Sequence, residues 1–291
     1  MMTSPSMLAR FRRIGGSVAI RHHRRLSSAA GELIQTGIDE GSGVALLVLN
    51  RPPANSLSME MNEEISRSIK NIDENYSKVQ SVILASSNPA IFSAGLDVAE
   101  LLRLILIGCF LAMACDYRVM YAGGTVNGRK HMPKIGLNET QLGIAAPPWM
   151  GQLLVRTIGF RRAELALAMG TLFPPHTALE IGLVDEIVPS DTEESSSDDA
   201  LQALLPDKMK DQMMQQNAVL QKAYIQATRF AKVPPQARVA SKMLTRSEHL
   251  EDMIAKRQHD TDHFCGFITQ DEVQGNLREY VQQLKTKSKQ K

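Results

Sequence analysis

Val44-Ala45-Leu46-Leu47-Val48-Leu49 runs directly into Asn50-Arg51-Pro52-Pro53, and this junction decides how the chain is read. A short apolar, partly β-branched run stopped by two prolines reads as a buried strand followed by a loop. Working outward, Ser58 can cap a helix with Glu60 in its first turn. Met61, Ile65, Ile69 and Ile72 then recur at helical spacing. Val79 to Ala85 (VQSVILA) reads as a second strand, broken by Ser86-Ser87-Asn88-Pro89. Strand, helix and strand in this order predict an α/β domain.

Further along, the apolar stretch from Leu104 is expected to form a strand entering a buried helix around Cys109 to Cys115. A strand follows at Tyr117 to Tyr121, then a polar loop from Gly123 to Met132. After Pro147-Pro148, helical patterns run through Leu153–Ile158 and Arg162–Met169. Thr171 to Pro175 is a break, and Ala178–Ile181 is a helical turn ended by Gly182. Val184–Val188 is a short strand. Residues 190–199 (SDTEESSSDD) read as a solvated loop before the next helix. From Leu201 onward the chain reads as helices interrupted at Pro234-Pro235.

The composition, 43% hydrophobic and 22% charged, suffices for one large core with a smaller appended lobe. The net charge of +2 argues against a nucleic-acid partner, which usually requires basic residues massed on one face. The charge is unevenly placed. Residues 1–30 hold Arg10, Arg12, Arg13, Arg21, Arg24 and Arg25 with several serines and no acid. Beyond residue 30 there are 27 basic and 31 acidic residues, a net of −4. An arginine-rich, serine-containing, acid-free start predicts a mitochondrial transit peptide over residues 1–30. A disordered basic tail without an address function is the bland alternative. Three cysteines (Cys109, Cys115 and Cys265) without a C-x-x-C pair argue against a disulfide framework or a zinc site, and suit a reducing compartment such as the mitochondrial matrix. The longest apolar run is too short to span a bilayer, so no membrane span is expected.

No phosphate-binding loop, nucleophile elbow or H-E-x-x-H pattern is present. His259 and His263, four residues apart, could share a helix face as metal ligands or simply be solvated. Two segments are more suggestive. In Phe92-Ser93-Ala94-Gly95-Leu96-Asp97, small residues after a strand expose main-chain N–H groups, which is how an oxyanion site is built. A plain strand-to-helix turn reads equally from these residues. In Ile135-Gly136-Leu137-Asn138-Glu139-Thr140-Gln141-Leu142-Gly143, the glutamate is flanked by apolar and amide residues. Buried, its pKa would rise toward that of a general base near neutral pH. A surface helix-capping glutamate is the other reading.

Taken as an ordered set, VLNRPPANSLSMEM, IFSAGLD, GCFLAMACDYRVM, IGLNETQLGIAAPPWM, RTIGFRRAELALAMGTLFPPHTALEIGLVDEIVP and GFITQDEVQGNLREYVQQLK resemble the crotonase family. Within it they are most similar to the mitochondrial 3,2-enoyl-CoA isomerases. The resemblance covers most of residues 40–290. It implies a crotonase-like α/β spiral of ββα repeats over residues 31–200, with a C-terminal helical, oligomerising region over residues 201–291, usually in a homotrimer. It implies a fatty acyl-CoA thioester as substrate, with no cofactor apart from the coenzyme A of the substrate itself and no metal. By motif position, Glu139 looks like the catalytic base. Ala94 and Gly108 look like the oxyanion-hole donors, and Ser93, Ala94, Gly95, Leu96, Asp97 and Asn138 like substrate-binding residues. Glu139 would take a proton from C2 of a 3-enoyl-CoA and return it at C4. Hydratases of the family place a second glutamate just after the G-C of the second motif; here Phe110 stands in that position.

The sequence departs from this pattern between Asp97 and Gly108. Only ten residues separate them, where family members carry a few dozen more, and the usual glycine pair has become Ile107-Gly108. A β-branched Ile107 would crowd a thioester near the second donor. This departure keeps an alternative open, a catalytically impaired crotonase-like protein that retains acyl-CoA binding or subunit association.

Overall fold

The computed structural model describes residues 33–94, 108–126, 129–189, 199–207, 210, 213 and 217–289. Strand β1 (Ile34–Asp39) and strand β2 (Val44–Leu49) form an antiparallel hairpin, with Ile34 opposite Leu49 and Asp39 opposite Val44. The connection is held by Asp39, whose carboxylate accepts the main-chain N–H groups of Gly41 (2.9 Å) and Ser42 (3.3 Å), the local bonding that suits aspartate to turns. Helix α1 (Met59–Asn75) follows, and strand β3 (Ser81–Ser86) then returns parallel to β2. The sheet order is β1-β2-β3, one ββα turn closed by the next strand.

β2 is apolar at every position because it is covered on both faces. Val44, Leu46 and Val48 face Leu201, Leu204, Met213 and Leu220. Ala45, Leu47 and Leu49 face Leu57, Met61, Ile65 and Ile72. All six strand residues are fully buried, as expected when period-two alternation delivers side chains to two cores. The predicted cap on α1 is present: Ser58, itself buried, accepts the Met61 N–H at 3.2 Å. Of the predicted helical stripe, Met61, Ile65 and Ile72 are buried while Ile69 is exposed. Replacing Ser58 with alanine is expected to cost about 1 kcal/mol in a urea titration; an unchanged midpoint would show that the cap contributes nothing.

Helix α2 (Gly108–Ala114) leads to β4 (Val119–Tyr121). The segment expected as a polar loop is instead a hairpin of β5 (Gly124–Val126) and β6 (Arg129–His131), with Thr125 opposite Lys130. The Asn127-Gly128 pair in the sequence is the hairpin signal that the looser reading passed over. β7 (Ile135–Gly136) and a 3₁₀ turn (Glu139–Leu142) precede α3 (Pro148–Ile158) and α4 (Phe160–Met169). Then come β8 (Leu172–Phe173), α5 (Pro175–Glu180) and β9 (Glu186–Val188). β9 pairs parallel with β4, and β8 pairs antiparallel with β7. Their shared core contains Leu137, Ile144, Met150, Leu154, Ile158, Leu183 and Val184.

The remaining helices are α6 (Asp199–Leu204), α7 (Asn217–Lys232), α8 (Pro235–Ile268) and α9 (Asp271–Lys289). The expected interruption falls at Pro234-Pro235, where Pro235 opens α8 without needing its missing N–H. α6 and α7 cover one face of the sheet, and α9 places Val273 and Leu277 in the Leu137 core. α8 is largely solvated: only Asp260 and Phe264 are buried, and Leu244 and Ile254 are 86% and 61% exposed. No helix among the described residues is long and apolar enough to cross a membrane.

Candidate active site

Glu139 opens the 3₁₀ turn, and the turn is built by its neighbours. β7 is tied to β8 through Ile135–Phe173 and Gly136–Leu172 pairing. The turn ends at Gly143, whose φ of 76° returns its N–H toward the Glu139 and Thr140 carbonyls. Only a glycine adopts that conformation readily, and a Cβ there would stand 2.7 Å from the Asn276 amide of α9. The Ile144 N–H also bonds to the Glu139 carbonyl, at 3.1 Å.

The Glu139 side chain is 3% exposed. Its Oε2 has no hydrogen-bond partner among the described residues. Burial pushes the carboxyl up to about 7, against a smaller opposing pull from its own main chain. The cause is desolvation, which penalises the charged form when no partner replaces water. Of the two readings left open by the residues, the buried glutamate is the one the fold produces.

Cys109 lies in electrostatic reach of this carboxyl. Burial pushes the Cys109 thiol up to about 12, the Glu139 charge adds to the rise, and a hydrogen bond with the Gly136 main chain opposes it. The start of α2, Gly108-Cys109, is therefore gathered beside the glutamate, and Gly108 is buried. Phe110 packs on the same core; no second carboxylate stands there. Thiol alkylation at pH 8 should therefore modify exposed Cys265 first and Cys109 last. Early labelling of Cys109 by peptide mapping would show that the site is open to solvent.

The Ser93-Ala94 segment is held from the other side. Asn55, 1% exposed and left-handed at φ 50°, accepts the Arg51 N–H (2.7 Å) and donates to Ser86 Oγ (2.8 Å) and the Phe92 carbonyl (3.3 Å). Ser93 Oγ donates to the Asn55 carbonyl at 2.6 Å, and the Ala94 N–H to the Ala54 carbonyl at 2.8 Å. Sequence reasoning missed Asn55 as the hub of this loop. Its signal was an asparagine two residues beyond Pro52-Pro53, a residue type that tolerates the left-handed region. α2 stands between the two halves: Leu111 packs with the Phe92 cluster, while Cys109, Phe110 and Met113 pack with Leu137 and Ile144. Asn138 precedes the glutamate, half-buried, with its carbonyl accepting the Gln141 N–H at 3.0 Å. Gly95, Leu96 and Asp97 lie outside the described residues.

The histidines considered as ligands are on the solvated side of α8. The His259 and His263 rings stack with centroids 6.5 Å apart, and Asp260 turns inward. Among the described residues, no group of three or more His, Cys, Asp or Glu is arranged to hold a metal.

A ββα unit against a second mixed core, with a buried glutamate beside the start of a short apolar helix, defines a class of protein. The model of the enoyl-CoA hydratase/isomerase family matches residues 39–107 and 105–216, and the chain belongs to that family. It is 35% identical to enoyl-CoA delta isomerase 1, mitochondrial, of Mus musculus, over 94% of each chain. It is 33% identical to the Homo sapiens protein of that name, over 85% of this chain and 82% of the relative. The crystal structure of human mitochondrial delta3-delta2-enoyl-CoA isomerase superposes with a TM-score of 0.69 at 31% identity, covering 88% of this chain and 99% of that one. The mouse alignment runs over 310 positions, longer than this 291-residue chain. That relative therefore carries residues without a counterpart here. The family match also breaks into two segments at residues 105–107, the place where the sequence departs from the family pattern.

Proposed function

We propose that this protein is an enoyl-CoA isomerase of fatty-acid β-oxidation, converting cis- or trans-3-enoyl-CoA to trans-2-enoyl-CoA in the mitochondrial matrix. The observation that carries the reading is Glu139, a buried carboxyl with its pKa raised to about 7 and Phe110 where a hydratase would hold a second acid. One carboxylate suffices for a 1,3-proton shift. Ionised Glu139 takes the C2 proton, and the C–H electron pair delocalises over C2 to C4 and onto the thioester oxygen. The same carboxyl then returns its proton to C4, leaving the double bond between C2 and C3. Hydration of a double bond needs a water to be activated and a proton delivered as well, which a second carboxylate assists.

The enolate oxygen needs main-chain donors, for which Gly108 and Ala94 are the candidates. The Ala94 N–H is donated to the Ala54 carbonyl in this structure, so a bound thioester has to exchange that bond for its own. That one observation favours a second reading, acyl-CoA binding without turnover. The mitochondrial names of the relatives and the arginine-rich start support import. Exposed Leu244 and Ile254 on α8 supply apolar surface for a homotrimer. The test is to supply the purified chain with cis-3-enoyl-CoA and follow trans-2-enoyl-CoA. Turnover supports the isomerase; tight acyl-CoA binding with no product would replace it by the second reading.

A further inference from the structure

Among the described residues Glu139 has no side-chain partner to aim its Oε2, so its direction is set by the turn that carries it. In 3₁₀ geometry residues three apart share a face. Glu139 and Leu142 accordingly point toward the core, and Thr140 and Gln141 lie on the exposed side. Those two exposed side chains nevertheless reach the same structure. Thr140 Oγ1 donates to the Leu167 carbonyl at 2.5 Å, and Gln141 Nε2 donates to the Met169 carbonyl at 3.3 Å. Both acceptors lie in the last turn of α4, where helical carbonyls lack full intrahelical bonding. α4 ends at Gly170 with φ 60°, and a Cβ there would stand 2.7 Å from Gln141 Cγ and 3.3 Å from the Asn138 carbonyl. The helix end and the turn are interlocked.

We propose that Thr140, assisted by Gln141, is a positioning residue for Glu139, clamping the turn to the C-terminus of α4 so that the carboxyl is held against the start of α2. The inference rests on the reading of Glu139 as the base. A mobile turn would let the carboxylate leave its reactive geometry and admit water to it. Displacement of a reacting group by about 1 Å can cost on the order of 100-fold in rate.

The test uses the full chain with Thr140→Val, which keeps shape and loses the donor, Thr140→Ser, which keeps the donor, and Gln141→Leu. Thermal unfolding first establishes that each variant folds. Two readouts follow: kcat and KM with 3-enoyl-CoA, and the Glu139 carboxyl titration by isotope-edited infrared spectroscopy, assigned with Glu139→Gln. The expected result for Thr140→Val is a kcat lowered about 10- to 100-fold with KM nearly unchanged. Its carboxyl midpoint should fall from about 7 toward ordinary values. Thr140→Ser should restore both, and Gln141→Leu should show a smaller shift in the same direction. Wild-type kcat and titration in both Thr140→Val and Gln141→Leu, or equal loss in Thr140→Val and Thr140→Ser, would overturn the clamp. If the wild-type chain shows no turnover, the titration alone decides: a midpoint that moves in Thr140→Val and returns in Thr140→Ser upholds the clamp while the isomerase reading fails.

Discussion

Glu139→Gln should lower isomerase kcat by about 100- to 10,000-fold, the range that removal of a positioned general base usually produces, while acyl-CoA still binds. Glutamine occupies nearly the same volume in a site where the carboxyl is 3% exposed, so the loss reports proton transfer rather than packing. The wild-type pH profile carries the same information. The base works only when ionised, and burial holds its pKa at about 7. Thus kcat/KM should fall tenfold per pH unit below about 7 and level off above it. Measurement of kcat/KM between pH 5 and 9 checks this. A glutamine variant as active as wild type, or a profile flat down to pH 5, would remove Glu139 from the mechanism.

The second large effect is on stability, with the opposite sign. Unfolded, the carboxyl ionises near 4.5; folded, near 7. Between these values the folded chain keeps a proton that the unfolded chain releases. Stability from this group is therefore greatest below about 4.5, declines as pH rises to about 7, and stays reduced above it. The shift corresponds to about 3 kcal/mol. Glutamine does not titrate, so Glu139→Gln should gain on wild type by up to about that amount as pH rises from 5 to 8. Urea unfolding of both proteins at the two pH values measures the gain. A difference between them that is the same at both pH values would mean that the carboxyl is not desolvated in the folded chain. The two expectations together describe a base retained at the expense of stability, as strained functional groups usually are.

The split of the family match at residues 105–107 falls between the two halves of the candidate site. The Glu139 half lies on β7, the 3₁₀ turn and α4, all downstream of that break. The Ser93-Ala94 half lies upstream and is held by Asn55 and Ala54. The described bonds of each half run within its own side of the chain. α2 packs on both halves.

Much of the fold was legible in local pattern. The Val44–Leu49 strand, the Ser58 cap and the break before Pro235 appear where the sequence placed them. Each depends on contacts within a few residues or on an apolar period. The paired strands at Gly124–Val126 and Arg129–His131 read as a loop in the sequence because their polar residues hide the apolar alternation of a strand. The segment from Ile135 to Gly143 offered Glu139 as the candidate base without saying whether it was buried. That answer needed partners far away in the chain: the Leu167 and Met169 carbonyls that clamp the turn, Asn276 behind Gly143, and Cys109 beside the carboxyl. The sequence by itself determined the α/β class, offered Glu139 as a candidate carboxylate through its family resemblance, and placed Phe110 after Gly108-Cys109. Only the tertiary structure decided that this carboxylate is buried, with its pKa raised to about 7, and that the Ala94 N–H is already donated within the protein. Desolvation and hydrogen-bond competition arise from groups that meet only when the chain has folded.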